Sequence, residues 1–111
     1  PGTLGAKLSP RIGIAPKDKI IVKYAPNSFL NTELDACLKS NGVDKLIVCG
    51  MMTHMCVDTT VRSAMDYGYA VDLIADGCAT RDLTLGDTVI PAETVQKTYL
   101  ASLGGVFANL I

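Results

Sequence analysis

The sequence lacks an excess of charge of either sign, a long apolar run and an internal repeat. Its ten basic and eleven acidic residues give a formal net charge of −1 and are mixed along the chain, so no basic stripe predicts a nucleic-acid partner. No apolar run approaches the ~18 residues that a membrane-spanning helix needs. We therefore expect neither nucleic acid nor a membrane as a partner.

Metal-ligating residues are also scarce. The four cysteines form no Cys-x-x-Cys pair, and His54 is the single histidine, so the sequence predicts no zinc site. Cys37 and Cys49 fall on apolar faces, where small buried thiols are common. Reduced thiols are the default in an intracellular protein, and we expect a cytoplasmic location.

Short apolar runs alternate with helical patterns along the 111 residues, of which 49% are apolar and 19% charged. The length admits one domain at most, and the composition permits a buried core. The apolar runs predict strands at residues 19–24, 45–50, 69–76 and 106–111, with helices between them and a loop at 77–90. Because each strand is a continuous apolar run, the pattern predicts an α/β fold whose parallel sheet is covered on both faces.

The first nineteen residues predict a loop, because Pro1, Pro10 and Pro16 and three glycines precede any periodic segment. Four parallel strands would make a thin sheet. We therefore interpret the chain as the middle of a longer polypeptide, whose N-terminal part would complete the sheet.

Cys56 lies where the second apolar run ends and a helix begins, in the segment VCGMMTHMCVDTT at residues 48–60. Ligands of open α/β sheets bind at such carboxyl ends of strands. Free N–H groups and the positive dipole end in a first helical turn favour a thiolate and can also hold an oxyanion. Position alone nevertheless favours a plainer interpretation, in which Cys56 only packs the helix against the sheet.

Two residues are candidates for activating this thiol. His54 is two residues away, and side chains two apart on a helix point in different directions, so we predict a ligand or capping role for it rather than a base. Lys23 ends another apolar run, where its ammonium would stabilise a thiolate, although a solvated strand-end lysine is the commoner case. Tyr24 and Phe29 flank it and form either a pocket wall or plain core.

The segment VCGMMTHMCVDTTVRSAMDYGYAVDLIADGCATRD, residues 48–82, resembles the signature of the isochorismatase-like cysteine hydrolase superfamily, of the nicotinamidase or carbamoyl-amide hydrolase type. Residues 20–50 and 90–111 are similar to the segments that precede and follow it in that family, so the resemblance covers essentially the whole chain. It implies a three-layer α-β-α fold with a mainly parallel, Rossmann-like sheet. It also implies that residues 1–111 are the C-terminal portion of one such domain.

The resemblance implies an Asp-Lys-Cys catalytic triad, in which Cys56 matches the nucleophile and Lys23 the lysine. It further implies a non-proline cis peptide bond between Met51 and Met52, and an oxyanion hole formed by the Met52 and Cys56 N–H groups. Thr53, in the same motif, joins Tyr24 and Phe29 as a candidate substrate-binding residue.

The family aspartate belongs to a strand N-terminal to every residue of this chain, so no Asp here is assigned to it. We therefore expect the missing N-terminal segment, or a partner chain, to supply the acid, and we expect this chain alone to be inactive. The ligands of family members that bind metal also lie largely in that segment, so no metal and no cofactor is predicted. Homo-oligomers are common in the family, and we expect one here.

The presence of Cys56 predicts the reaction, because isochorismatases proper resemble this family but lack the cysteine. The implied function is hydrolysis of an amide or imide C–N bond in a small molecule, through a thioester. One alternative is a non-catalytic metabolite-binding or oligomerisation module, although no strand end carries a Gly-rich phosphate loop. Another is a hydrolase acting on an isochorismate-like substrate.

Overall fold

The computed structural model describes residues 2–111, in which three α-helices and five strands follow one another. The elements in chain order are α1 Leu34–Ser40, β1 Lys45–Met51, α2 Asp58–Asp66, β2 Ala70–Ala79, β3 Leu83–Leu85, β4 Thr88–Ile90, α3 Ala92–Leu103 and β5 Asn109–Leu110. A π-helical turn, Thr53–Val57, leads into α2. Within this part of the chain, no helix combines the length and apolar character needed to cross a membrane.

The main sheet has three parallel strands in the order β1-β2-β5. Crossovers between parallel strands are almost always right-handed. Because the strand order never reverses, two crossovers of one hand carry α2 and α3 over the same face of the sheet. The predicted α/β class with a mainly parallel sheet is confirmed.

A hydrophobic core fills the space between this face and the helices. Its buried members are Phe29, Val57, Val61, Ala64, Tyr69, Val71, Leu73, Leu103 and Ala108. Leu34 and Leu38 of α1 pack against them, so all three helices contribute to one covering layer.

The opposite face of β1 is open among the described residues. Leu46 and Val48 point into the core, whereas Ile47 is 70% exposed and Met51 is 68% exposed. Cover on both faces was expected from the continuous apolar runs, and the described residues supply it on one face only. An apolar run cannot show whether one face of the strand is covered or both, because the strand order decides on which face the crossover helices lie.

Two local predictions were wrong. Residues 19–24 are not a strand: Ile20 and Val22 are 55% and 61% exposed, and no described strand forms a ladder with this run. An extended segment becomes a strand only when a neighbour supplies hydrogen bonds. Conversely, residues 83–90 form the antiparallel hairpin β3–β4 instead of a loop. Its two-residue Gly86-Asp87 turn, with Gly86 at φ 58°, was a missed hairpin signal.

Tyr69 makes the fold sensitive to alkaline pH. Its side chain is 6% exposed, and its hydroxyl donates to Asp35 Oδ1 at 2.8 Å. Burial, followed by the Asp35 hydrogen bond, raises the pKa of Tyr69 from 10.0 to about 12. The folded chain therefore keeps its proton where the unfolded chain loses it, so this stabilisation is complete below pH 10 and is lost between pH 10 and about 12.

We expect Tyr69→Phe to lose less stability than the unmodified chain as the pH is raised. Urea unfolding midpoints measured from about pH 8 to about pH 11 should fall more steeply for the unmodified chain than for the variant, which has no phenol to ionise. Tyr24→Phe is the matched control, because Tyr24 is 83% exposed. Parallel profiles for the unmodified chain and Tyr69→Phe would contradict the assignment.

Candidate active site

Lys23 and Cys56 lie together although 33 residues separate them in the sequence. The Lys23 Nζ atom is 3.2 Å from the Cys56 Sγ atom, at a partly buried position. An ammonium at this distance attracts negative charge on the sulfur. The structure thus brings together the two residues that the sequence singled out.

The ammonium of Lys23 is held in one orientation by the turn that follows it. Nζ donates to the carbonyl oxygen of Ala25 at 2.8 Å and to that of Pro26 at 3.0 Å. An ammonium has three N–H donors. With two of them on carbonyl oxygens, the third is directed at the Cys56 sulfur.

The same turn is anchored to α2 by side chains that no sequence motif singled out. The Ser28 N–H donates to Thr60 Oγ1 at 3.0 Å, and Asn27 Nδ2 donates to Ser63 Oγ at 2.8 Å. Thr60 and Ser63 follow Cys56 by four and seven residues, so all three share one face of the helix. The spacing of four and seven residues was the sequence signal that could have identified these anchors. The helix face that carries the thiol also holds the turn whose carbonyl groups orient Lys23.

The turn between β1 and the helix has an unusual backbone. Gly50 has φ 139°, a conformation that side chains disfavour. The Met51–Met52 peptide bond is cis, as the resemblance implied. The Met52 carbonyl oxygen lies at the mouth of the π-helical turn that follows.

The hydrogen bonds to the Met52 carbonyl in this turn do not include the Cys56 N–H. The Met52 carbonyl accepts from the Met55 N–H at 2.9 Å and from the Val57 N–H at 3.3 Å. In an α-helix the same carbonyl would accept from the residue four positions on, which is Cys56. Within residues 2–111, the Cys56 N–H is therefore not bonded to the Met52 carbonyl, and it lies beside its own thiol.

A cavity of about 220 Å³ surrounds the lysine–cysteine pair. Its lining residues are Lys23, Ser28, Val48, Cys49, Gly50, Met51, Cys56, Val57 and Thr60. No aspartate or glutamate lines it among the described residues. A larger open cleft of about 870 Å³ lies beside β5 and contains neither Lys23 nor Cys56. We take the smaller cavity as the candidate site because it holds the reactive pair.

The three candidate substrate-binding residues lie outside this lining. Phe29 is 4% exposed and stacks on Tyr67, with ring centroids 4.9 Å apart, as part of the core. Tyr24 is 83% exposed. Thr53 is fully buried, and its hydroxyl contacts the side chain of Gln96 on α3.

His54 also lies apart from the lysine–cysteine pair. Its Nδ1 atom is 2.6 Å from Thr80 Oγ1, and its ring meets the Tyr99 ring edge-on at 6.1 Å between centroids. The histidine therefore fixes the loop after β2 to the start of the helix. This placement agrees with the expectation that it is not the base for Cys56.

The remaining thiols differ in their surroundings. Cys49 is exposed, whereas Cys37 and Cys78 are half-buried. Burial is the main cause that raises the pKa of the Cys78 thiol. Cys78 is therefore held in its protonated form, which is a poor nucleophile.

Comparison of the sequence with known proteins gives a consistent result. The model of the isochorismatase domain matches residues 1–96. YddQ of Bacillus subtilis (strain 168), an uncharacterised isochorismatase family protein, is 44% identical over 110 residues, which cover 99% of this chain and 61% of YddQ. Streptothricin hydrolase of Streptomyces noursei is 36% identical over 108 residues, covering 94% of this chain and 39% of that protein.

Solved structures have the same fold. An isochorismatase from Pseudomonas putida KT2440 gives a TM-score of 0.90 at 41% identity, covering 94% of this chain and 54% of that one. A cysteine hydrolase from Pseudomonas syringae pv. phaseolicola 1448A gives 0.90 at 30% identity, covering 94% and 49%. The chain thus spans between 39% and 61% of the lengths of these relatives. The domain match over residues 1–96 and the shared fold show that the chain belongs to the isochorismatase family.

Proposed function

We propose that this chain carries the nucleophile of a hydrolase that cleaves the C–N bond of a small amide or imide through a thioester. The observation that carries the proposal is the 3.2 Å contact between Lys23 Nζ and Cys56 Sγ at the wall of a cavity. Two similar proteins are named a streptothricin hydrolase and a cysteine hydrolase, which supports hydrolysis by a thiol.

The first half of the reaction forms the thioester. The Cys56 thiolate attacks the carbonyl carbon of the substrate, and a C–S bond forms while the carbonyl oxygen takes the negative charge. The N–H groups of Met52 and Cys56 hold this oxyanion. Collapse of the intermediate breaks the C–N bond, and the nitrogen leaves with a proton as ammonia or an amine.

The second half regenerates the thiolate. A water molecule attacks the thioester carbonyl, loses a proton to a general base, and releases a carboxylic acid as the C–S bond breaks. Within the described residues, no carboxylate lines the cavity to carry these protons. We therefore propose that the acid–base group comes from a segment outside these residues or from the partner subunit of a homo-oligomer.

The cavity indicates a small substrate. Val48, Val57 and Met51 provide apolar walls, while the side chains of Ser28 and Thr60 carry hydroxyl groups. A volume of about 220 Å³ admits one compact group bearing the amide. The hydroxyls can hydrogen-bond to a polar substituent beside the reacting carbonyl.

The proposal is tested by the reactivity of the four thiols towards iodoacetamide at about pH 7. We expect Cys56 to be alkylated fastest, ahead of exposed Cys49, because among residues 2–111 Cys56 is the thiol with an ammonium in contact with its sulfur. Cys78 should react slowest. Peptide mapping by mass spectrometry measures the four rates separately. A Cys56 that reacts no faster than Cys49 would favour the non-catalytic alternative.

A further inference from the structure

A buried hydrogen-bond cluster joins the turn before Cys56 to helix α3. Thr53 is fully buried, and its Oγ1 atom is 2.6 Å from Gln96 Oε1 and 3.1 Å from the carbonyl oxygen of Ala79. Gln96 Nε2 lies 3.3 Å from the carbonyl oxygen of Ala75 and 3.2 Å from that of Cys78. One side chain of α3 thus contacts both the end of β2 and the first residue of the π-helical turn.

The direction of each hydrogen bond follows from the acceptors present. The NH₂ group of Gln96 is the only part of its side chain that can donate to the two carbonyl oxygens of β2. Its Oε1 atom must therefore face Thr53, whose hydroxyl donates to it. The reverse orientation would set a carbonyl oxygen against two others. Within residues 2–111, no buried side-chain nitrogen or oxygen is without a partner, so the cluster is complete.

We propose that Gln96 is a positioning residue for the oxyanion site. The inference rests on the proposed function, because Thr53 directly follows Met52, whose N–H is a proposed oxyanion donor. Gln96 does not line the cavity around Cys56 and therefore acts through Thr53. By fixing Thr53 against the end of β2, it fixes the adjacent Met52 backbone relative to the Cys56 thiol.

Two reactions of the same Cys56 thiolate distinguish a displaced oxyanion site from a general loss of structure around the thiol. One reaction forms an oxyanion and the other does not. With p-nitrophenyl acetate, the thiolate attacks a carbonyl carbon and an oxyanion forms. The C–O bond then breaks, p-nitrophenolate leaves with the bonding pair, and Cys56 is acetylated. With iodoacetamide, the thiolate displaces iodide from a saturated carbon and no oxyanion forms. Both leaving groups are stable anions, so neither reaction needs a general acid.

The principal variant is Gln96→Glu, which preserves the shape of the side chain but replaces both N–H donors by an acceptor facing the carbonyls of β2. We expect acetylation of Cys56 to slow about 10- to 100-fold, because a small displacement of a catalytic group has effects of this order. Alkylation by iodoacetamide should stay within about twofold. Lys97→Gln changes the charge of α3 by the same amount at an exposed position and should leave both rates unchanged.

A pair of variants at Thr53 tests the same hydrogen bond between Thr53 and Gln96. Thr53→Val removes the hydroxyl while keeping the shape, and should slow acetylation selectively. Thr53→Ser retains the hydroxyl and should restore acetylation to near its original rate. If the glutamate variant does not fold, this pair decides the question by the same ratio of acetylation to alkylation, measured by mass spectrometry on the Cys56 peptide.

Three outcomes would overturn the inference. Unchanged acetylation in the variants overturns it and leaves the proposed function standing. An equal loss in both reactions would assign Gln96 a structural role only. Absence of Cys56 acetylation in the unmodified chain would overturn the proposed function, and this inference with it.

Discussion

Replacing Cys56 by alanine is expected to lower amide hydrolysis by the full-length protein at least about 10³-fold, because no other group would form the thioester. The fold should persist, since Cys56 is only half-buried and alanine fits the same helical turn. Hydrolysis is measured as ammonia or amine release from a panel of small amides. Trapped acyl-enzyme is measured as a mass increase on the peptide that contains Cys56.

Two further variants make the Cys56 result specific. Cys37→Ala removes a half-buried thiol that does not line the cavity, and should leave hydrolysis unchanged. Cys56→Ser retains a hydroxyl at the same place but should still be nearly inactive, because a serine hydroxyl needs a base to become a nucleophile. Hydrolysis that survives Cys56→Ala would exclude the thioester mechanism.

Replacing Lys23 by methionine is expected to slow iodoacetamide alkylation of Cys56 about tenfold or more at about pH 7. The ammonium is 3.2 Å from the sulfur, and an opposite charge at such a distance stabilises the attacking sulfur anion by an energy of this order.

The control for this prediction is Lys97→Met, which removes a lysine whose ammonium is paired with Glu93 on the exposed side of α3. It should leave the Cys56 rate unchanged. Lys23 also bonds the carbonyls of Ala25 and Pro26, so circular dichroism and urea unfolding of Lys23→Met should accompany the rates. If Lys23→Met keeps its fold and its Cys56 is alkylated as fast as in the unmodified chain, Lys23 does not activate the thiol.

Two of the helices are followed closely by a glycine, which is a local sequence signal for the end of a helix. Gly42 follows α1 and Gly68 follows α2, and both glycines have positive φ, where other residues are disfavoured. The approach of Lys23 to Cys56 was also predicted, because each residue follows an apolar run and the carboxyl ends of parallel strands lie at one edge of a sheet. Lys23 does approach Cys56, but residues 19–24 do not form a strand, so the strand-end argument does not explain the approach.

Three features needed the tertiary structure. The open face of β1 depends on strand order, which no single strand encodes. The burial of Phe29 and Thr53 depends on which neighbours surround them, so their place in the motif could not show whether they face the cavity. The bond between Thr53 and Gln96 joins residues 43 positions apart, and nothing in either local pattern relates them.

The sequence by itself therefore determined the α/β class, because alternating apolar runs and helical patterns depend on local conformation. Its resemblance to a known family, rather than position alone, pointed to the lysine–cysteine pair. Only the tertiary structure decided how that pair is held. The turn carbonyls on Lys23, the Thr60 and Ser63 anchors and the Gln96 cluster all depend on contacts between elements distant in the chain. Such contacts depend on three-dimensional packing, which the hydrophobic periodicity and the residue types of the sequence do not predict.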